Sequence, residues 1–272
     1  MTARLVSPGV TLPVEERYEN GIRVVERPGP SPESALVVLV HGVLDSAHSL
    51  ERLLGRLPEF HVITYDRRGY GRSRFPADGP RSLDAHADDL VAVLHERPAV
   101  VVGHSMGGNV ALCAARRAPD LIRSASGYEV HAPWVPEWSA ETQAGVLAIA
   151  ADTDPDGLGE SSYRRVLGDA RWDALPEADK ALRRAEGLAY QTDLGTGWQT
   201  EYAFHEPPVP VVLGCGERSQ EFFVAATRAL ASRMPAGYYE IAAAKHAAHI
   251  THPHEYVGFV HTTIDAAVAA GR

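Results

Sequence analysis

Apolar residues in the first half of the chain fall into runs of two kinds. In SALVVLVHG (34–42), FHVITY (60–65) and VVVGH (100–104) they are consecutive and rich in β-branched types. Runs without polar alternation predict parallel strands covered on both faces. Between them the spacing turns helical: Leu50, Leu53, Leu54 and Leu57 in the first gap, then Leu90, Val93 and Leu94 on the side opposite Asp88 and Asp89 in the second. The rhythm returns near the C-terminus with strands at 208–216 and 237–245, a helix at 221–234 and a closing helix from Pro253. Alternating strands and helices predict a right-handed parallel α/β sheet. Ahead of it, RYENGIRVVERP reads as a hairpin, because Asn20-Gly21 tolerates the positive φ angles of a type I′ turn. From His131 to Phe204 the pattern breaks: the spacing is helical, Asp, Glu, Gly and Trp are more frequent, and no strand is evident. That stretch is expected to be an insertion covering one edge of the sheet.

Composition narrows the classes of function. The formal net charge of -9 and the lack of any basic run argue against nucleic-acid and anionic-membrane partners, which need a basic face. MTARLVSPGV lacks the charged-then-apolar pattern of a secretory leader, and no run is long enough for a membrane span, so a cytoplasmic protein is expected. A homodimer is left open. Cys113 sits in an apolar helical pattern and Cys215 at a strand end; both read as reduced core thiols rather than a disulfide or nucleophiles.

The chemistry gathers where the strands end, which is where ligands sit in such sheets. In GHSMGG (103–108) a buried strand runs into G-x-S-x-G and then a helix, the context of a nucleophile elbow. Side chains at 103 or 107 would clash across so sharp a turn, and the helix that follows aims its free amides at developing negative charge. A serine hydroxyl needs a base. The run KHAAHITHPH offers several, of which His246 directly follows the last strand and His249 is the next candidate. These histidines have no Cys or acidic ligand pattern beside them, so neither metal nor cofactor is expected. For the acid that orients the imidazole, Glu129 and Glu217 both satisfy the chain order Ser, acid, His.

His41-Gly42, DRRGYGRS (66–73), GHSMGG and His246 with Pro253 seven residues later occur in an order that resembles the α/β-hydrolase fold enzymes. The resemblance implies a mostly parallel eight-stranded sheet with helices on both faces. It divides the chain into a core (1–130 and 205–272) and a helical cap, or lid (131–204). Many relatives carry the acid as an Asp three residues after the glycine closing the penultimate strand; here Gly216 leads instead to Ser219. GYEVHAP resembles the segment that supplies a carboxylate one strand earlier in relatives lacking that Asp, which favours Glu129 over Glu217. The resemblance also implies an oxyanion hole from the amides of Val43 and Met106, and a structural role for the loop at 66–68.

The implied activity is that of a serine hydrolase acting through an acyl-enzyme on an ester, thioester or similar carbonyl of a small to medium apolar substrate. Trp134, Trp138 and His104 are the expected substrate contacts. Serine rather than Asp at position 105 argues against dehalogenase and epoxide-hydrolase chemistry. The alternatives are a C–C bond hydrolase, perhydrolase or lyase on the same scaffold, or a ligand-binding protein without turnover.

Overall fold

The computed structural model describes residues 2–7, 10–73, 75 and 82–272. Its strands are β1 (Thr2–Ser7), β2 (Val10–Glu19), β3 (Ile22–Arg27), β4 (Leu36–Val40), β5 (His61–Tyr65), β6 (Ala99–His104), β7 (Ile122–Tyr128), β8 (Val211–Gly216) and β9 (Ala236–Ile241). They form one sheet in the order β1-β2-β3-β5-β4-β6-β7-β8-β9. Pairing is parallel from β5 through β4 to β9 and antiparallel among β1, β2, β3 and β5. The sheet is thus mostly parallel, as expected, and among the described residues it has nine strands rather than eight. The additional one, TARLVS, is an antiparallel edge strand on β2. Its apolar residues are too few to mark it as a strand by spacing alone, and it is the neighbour that completes its pairing. The hairpin turn between β2 and β3 has φ of 50° at Asn20 and 78° at Gly21, as a type I′ turn requires.

The helices are α1 (Ala47–Leu54), α2 (Leu83–Val93), α3 (Met106–Arg117), α4 (Ala140–Ala150), α5 (Pro155–Leu167), α6 (Asp169–Asp173), α7 (Glu177–Gly197), α8 (Glu221–Arg233), α9 (Ala248–Thr251) and α10 (Pro253–Ala269), with a 3-10 segment at Trp198–Phe204. Two apolar clusters sandwich the sheet. Val38, Val40 and Val101 pack with α2 and α3 on one face, while Val37, Leu39, Val100 and Val102 pack with α1 and α10 on the other. Successive side chains of a strand point to opposite faces, so a strand buried on both must be apolar throughout. This explains the uninterrupted runs.

The helices between 140 and 204 are tied to the sheet by a buried ionic knot. Arg67, at the end of β5, meets Asp193 of α7 at 2.8 Å, with both side chains almost fully buried. Tyr70 Oη donates to the same carboxylate at 2.9 Å, and Glu186 of α7 accepts the Gly71 amide at 2.8 Å. From the other side of Arg67, its Nε and Nη2 donate to the carbonyls of His41 and Gly42 at 3.1 and 3.0 Å. Asp66 accepts the amides of Ala47 and Arg72, each at 2.8 Å. The acidic and basic residues of this loop are therefore occupied inside the fold.

Candidate active site

Ser105 stands between β6 and α3 with φ 52° and ψ -124°, a strained conformation for a residue with a side chain, costing about 1–3 kcal/mol. The strain is held by main-chain bonds on both sides: the Ser105 amide donates to the Tyr128 carbonyl of β7, and the Gly108 amide to the Ser105 carbonyl, both at 2.8 Å. Gly103 and Gly107 make the turn possible. A Cβ on Gly103 would lie 2.2 Å from the Gly107 oxygen, and one on Gly107 2.3 Å from the Val40 oxygen, both well inside contact distance. Ser105 is 6% exposed, and its hydroxyl makes no hydrogen bond among the described residues.

Glu129 directly follows β7, also with positive φ, 51°. Its amide is fixed on the Gly214 carbonyl of β8 at 2.8 Å, which turns the side chain into the fold, where it is fully buried. One oxygen, Oε1, accepts the Gly216 amide at 2.8 Å and the Ser219 hydroxyl. The other, Oε2, lies 2.7 Å from Nδ1 of His246. Such a bond requires the proton on Nδ1 and leaves Nε2 as the basic nitrogen. The His246 side chain is 39% exposed, and its ring stacks on Phe223 of α8, with centroids 4.6 Å apart and planes inclined by 13°.

The structure brings His246 and Glu129 into contact, but no hydrogen bond joins His246 to Ser105. Their loops are linked through His104, whose Nε2 donates to the His246 carbonyl at 2.8 Å. In substrate-free enzymes the hydroxyl–imidazole bond is often open and closes with substrate. The amides of Val43 and Met106 have no acceptor among the described residues, so both remain free to bind an oxyanion, Met106 as the first residue of α3.

Other expected residues have different surroundings. Glu217 accepts the Ala243 amide at 2.7 Å and belongs to an exposed turn. Trp134 packs against Phe204 at 5.2 Å and lines a groove of about 500 Å³ with Val135, Leu230 and Arg233. Trp138 lies in an aromatic chain that includes His131, Phe222 and Phe223 and thereby reaches His246. His104 is 5% exposed, between Tyr128, His246 and His249. Its ring is enclosed and its Nε2 is engaged by the His246 carbonyl. Cys113 and Cys215 are both buried and unpaired; burial pushes their thiols up to about 12 and about 11, which keeps them unreactive.

Two participants were not anticipated. Ser219 occupies the position where many members of the resembled fold carry the acid, and here its hydroxyl supports Glu129 instead. The departure at Gly216-x-x-Ser219 was its only sequence signal. Phe223 carried none, because a phenylalanine in an amphipathic helix ordinarily belongs to the core.

Residues 37–259 match the model of the alpha/beta hydrolase family. Lipase LipV of Mycobacterium tuberculosis is 41% identical over 101 residues, 36% of this chain and 38% of the lipase. The pimeloyl-(acyl-carrier protein) methyl ester esterase of Neisseria meningitidis serogroup A is 32% identical over 139 residues, 50% of this chain and 39% of that enzyme. The aligned stretches thus span less than two fifths of these relatives' own lengths. A thermophilic esterase from Thermogutta terrifontis superposes with a TM-score of 0.70 at 20% identity, covering 94% of this chain and 99% of the esterase. That likeness speaks to the fold.

Proposed function

Since the chain belongs to the alpha/beta hydrolase family, we propose that it is a serine hydrolase in which Ser105 is the nucleophile, His246 the base and Glu129 the acid that orients it. The observation that carries this reading is the 2.7 Å contact between Glu129 Oε2 and His246 Nδ1, made by a buried carboxylate whose other oxygen is already satisfied. His246 Nε2 takes the Ser105 proton as Oγ attacks the carbonyl carbon. The oxyanion forms against the amides of Val43 and Met106, and the imidazolium returns the proton to the leaving group. Water, activated by the same nitrogen, then hydrolyses the acyl-enzyme to a carboxylic acid.

The substrate class is a small to medium apolar ester or thioester. Trp138, in the aromatic chain that ends on His246, is the favoured wall of the acyl site, and the helices between 140 and 204 form its cap. Trp134, packed on Phe204, is a weaker candidate for substrate contact. A serine-directed fluorophosphonate tests the core of this reading. Stoichiometric labelling at Ser105, lost in His246→Ala, is the expected result; a folded protein that takes no label is a binder, and the reading fails.

A further inference from the structure

A second polar cluster lies at the carboxyl edge of the sheet and has no task in the reaction above. Asp45 belongs to the loop after β4, His104 closes β6, and His249 stands in α9 just beyond His246. One donor atom of each comes within 4.8 Å of the other two, and His249 Nε2 is 3.4 Å from Asp45 Oδ2. His249 is only 1% exposed, and both of its ring nitrogens are buried without a hydrogen bond.

The tautomer of His104 follows from its partner. A carbonyl can only accept, so Nε2 bonded to the His246 oxygen carries the proton and Nδ1 keeps a lone pair. That Nδ1 is buried with no partner, and it faces the glycine of the loop bearing Asp45, since a Cβ on Gly42 would lie 3.1 Å from it. Asp45 is also aimed: Oδ1 accepts the Ser46 amide at 2.8 Å and Oδ2 the Ser49 hydroxyl at 2.9 Å.

Two imidazoles and one carboxylate suit a borderline cation such as zinc, not calcium or magnesium, which prefer all-oxygen sites. An imidazole whose second nitrogen donates to a carbonyl is the usual arrangement of a metal-ligating histidine. With bonds of about 2.0–2.2 Å, donors around a tetrahedral ion stand roughly 3.4 Å apart, a spacing that His249 and Asp45 already have. We propose that Asp45, His104 and His249 bind one divalent transition-metal cation of the zinc type. Its task is to brace. His104 precedes Ser105, His249 lies three residues past His246 and Asp45 two past Val43, so one ion would tie together the loops bearing all three.

The test is titration of metal-free full-length protein with Zn²⁺ by calorimetry, and with Co²⁺ by visible absorption. Expected are one ion per chain, the intense d–d bands of a four-coordinate nitrogen/oxygen site, and affinity at least about 100-fold weaker in Asp45→Asn and in His249→Ala. His254→Ala, an exposed control, binds as the wild type does. No uptake by the wild-type protein overturns the proposal and needs no variant. Equal affinity in both variants also overturns it and means an adventitious ion only. If a variant fails to fold, the wild-type cobalt spectrum decides: the four-coordinate bands support the site, and the weak bands of a hydrated octahedral ion reject it.

Discussion

A single buried oxygen sets which glutamate His246 touches. Glu129 Oε1 is engaged by the Gly216 amide and the Ser219 hydroxyl, so the carboxylate cannot rotate and Oε2 is left for the imidazole. Glu217 spends its carboxylate on an amide in an exposed turn. Glu129→Gln, isosteric but able to favour the wrong imidazole tautomer, is therefore expected to lower kcat/KM on p-nitrophenyl esters on the order of 10⁴-fold. Glu217→Gln should leave it within about threefold, because a surface hydrogen bond contributes little. The reverse ranking in the same assay would assign the acid to Glu217. Nothing local to either glutamate separates them: each follows an apolar strand that ends in glycine or tyrosine. What separates them is the loop after β9: β9 pairs with β8, yet its loop carries His246 onto the glutamate that follows β7.

At the scale of elements, the loop after β5 is a joint between the sheet and α7. Arg67 reaches Asp193 in one direction and the carbonyls of His41 and Gly42 in the other, so it couples α7 to the loop that carries Val43. Removing the carboxylate leaves a guanidinium buried without its counter-ion, and breaking such a pair costs about 3–5 kcal/mol. Asp193→Ala should accordingly lower the urea midpoint by that equivalent. A midpoint within error of wild type would mean that water or another group takes over from Asp193. The structural role that the resemblance implied for residues 66–68 agrees with the internal contacts of Asp66 and Arg67. The partner of that loop on α7 could not be read, since an Asp in a helix looks the same whether it faces solvent or a buried arginine 126 positions away.

At the scale of the whole molecule, buried histidines make stability depend on pH. His41 is held down to about 4 by burial and by the Arg67 charge, and His131 to about 3 by burial, whereas in an unfolded chain both titrate near 6.5. Between these values the unfolded chain binds protons that the native state does not. Their contribution is complete above pH 6.5 and is lost as pH falls towards 4 and 3, together on the order of several kcal/mol. Thermal scans should show a level Tm from pH 7 to 8 and a steep fall between 6.5 and 4, shallower in His131→Gln. Equal Tm at pH 4.5 and 7.5 would refute this account. The order of strands and helices and the strained turn at Ser105 were determined by the chain itself, because they follow from contacts between near neighbours: alternate side chains facing opposite apolar layers, and glycines where a Cβ would strike backbone. The contact between Glu129 and His246, the support from Ser219 and Phe223, and the convergence of Asp45, His104 and His249 were decided only by the tertiary structure. Each joins side chains that strand order and register bring together across long stretches of sequence, and the spacing of residues along one strand or helix holds no record of what lies beside it.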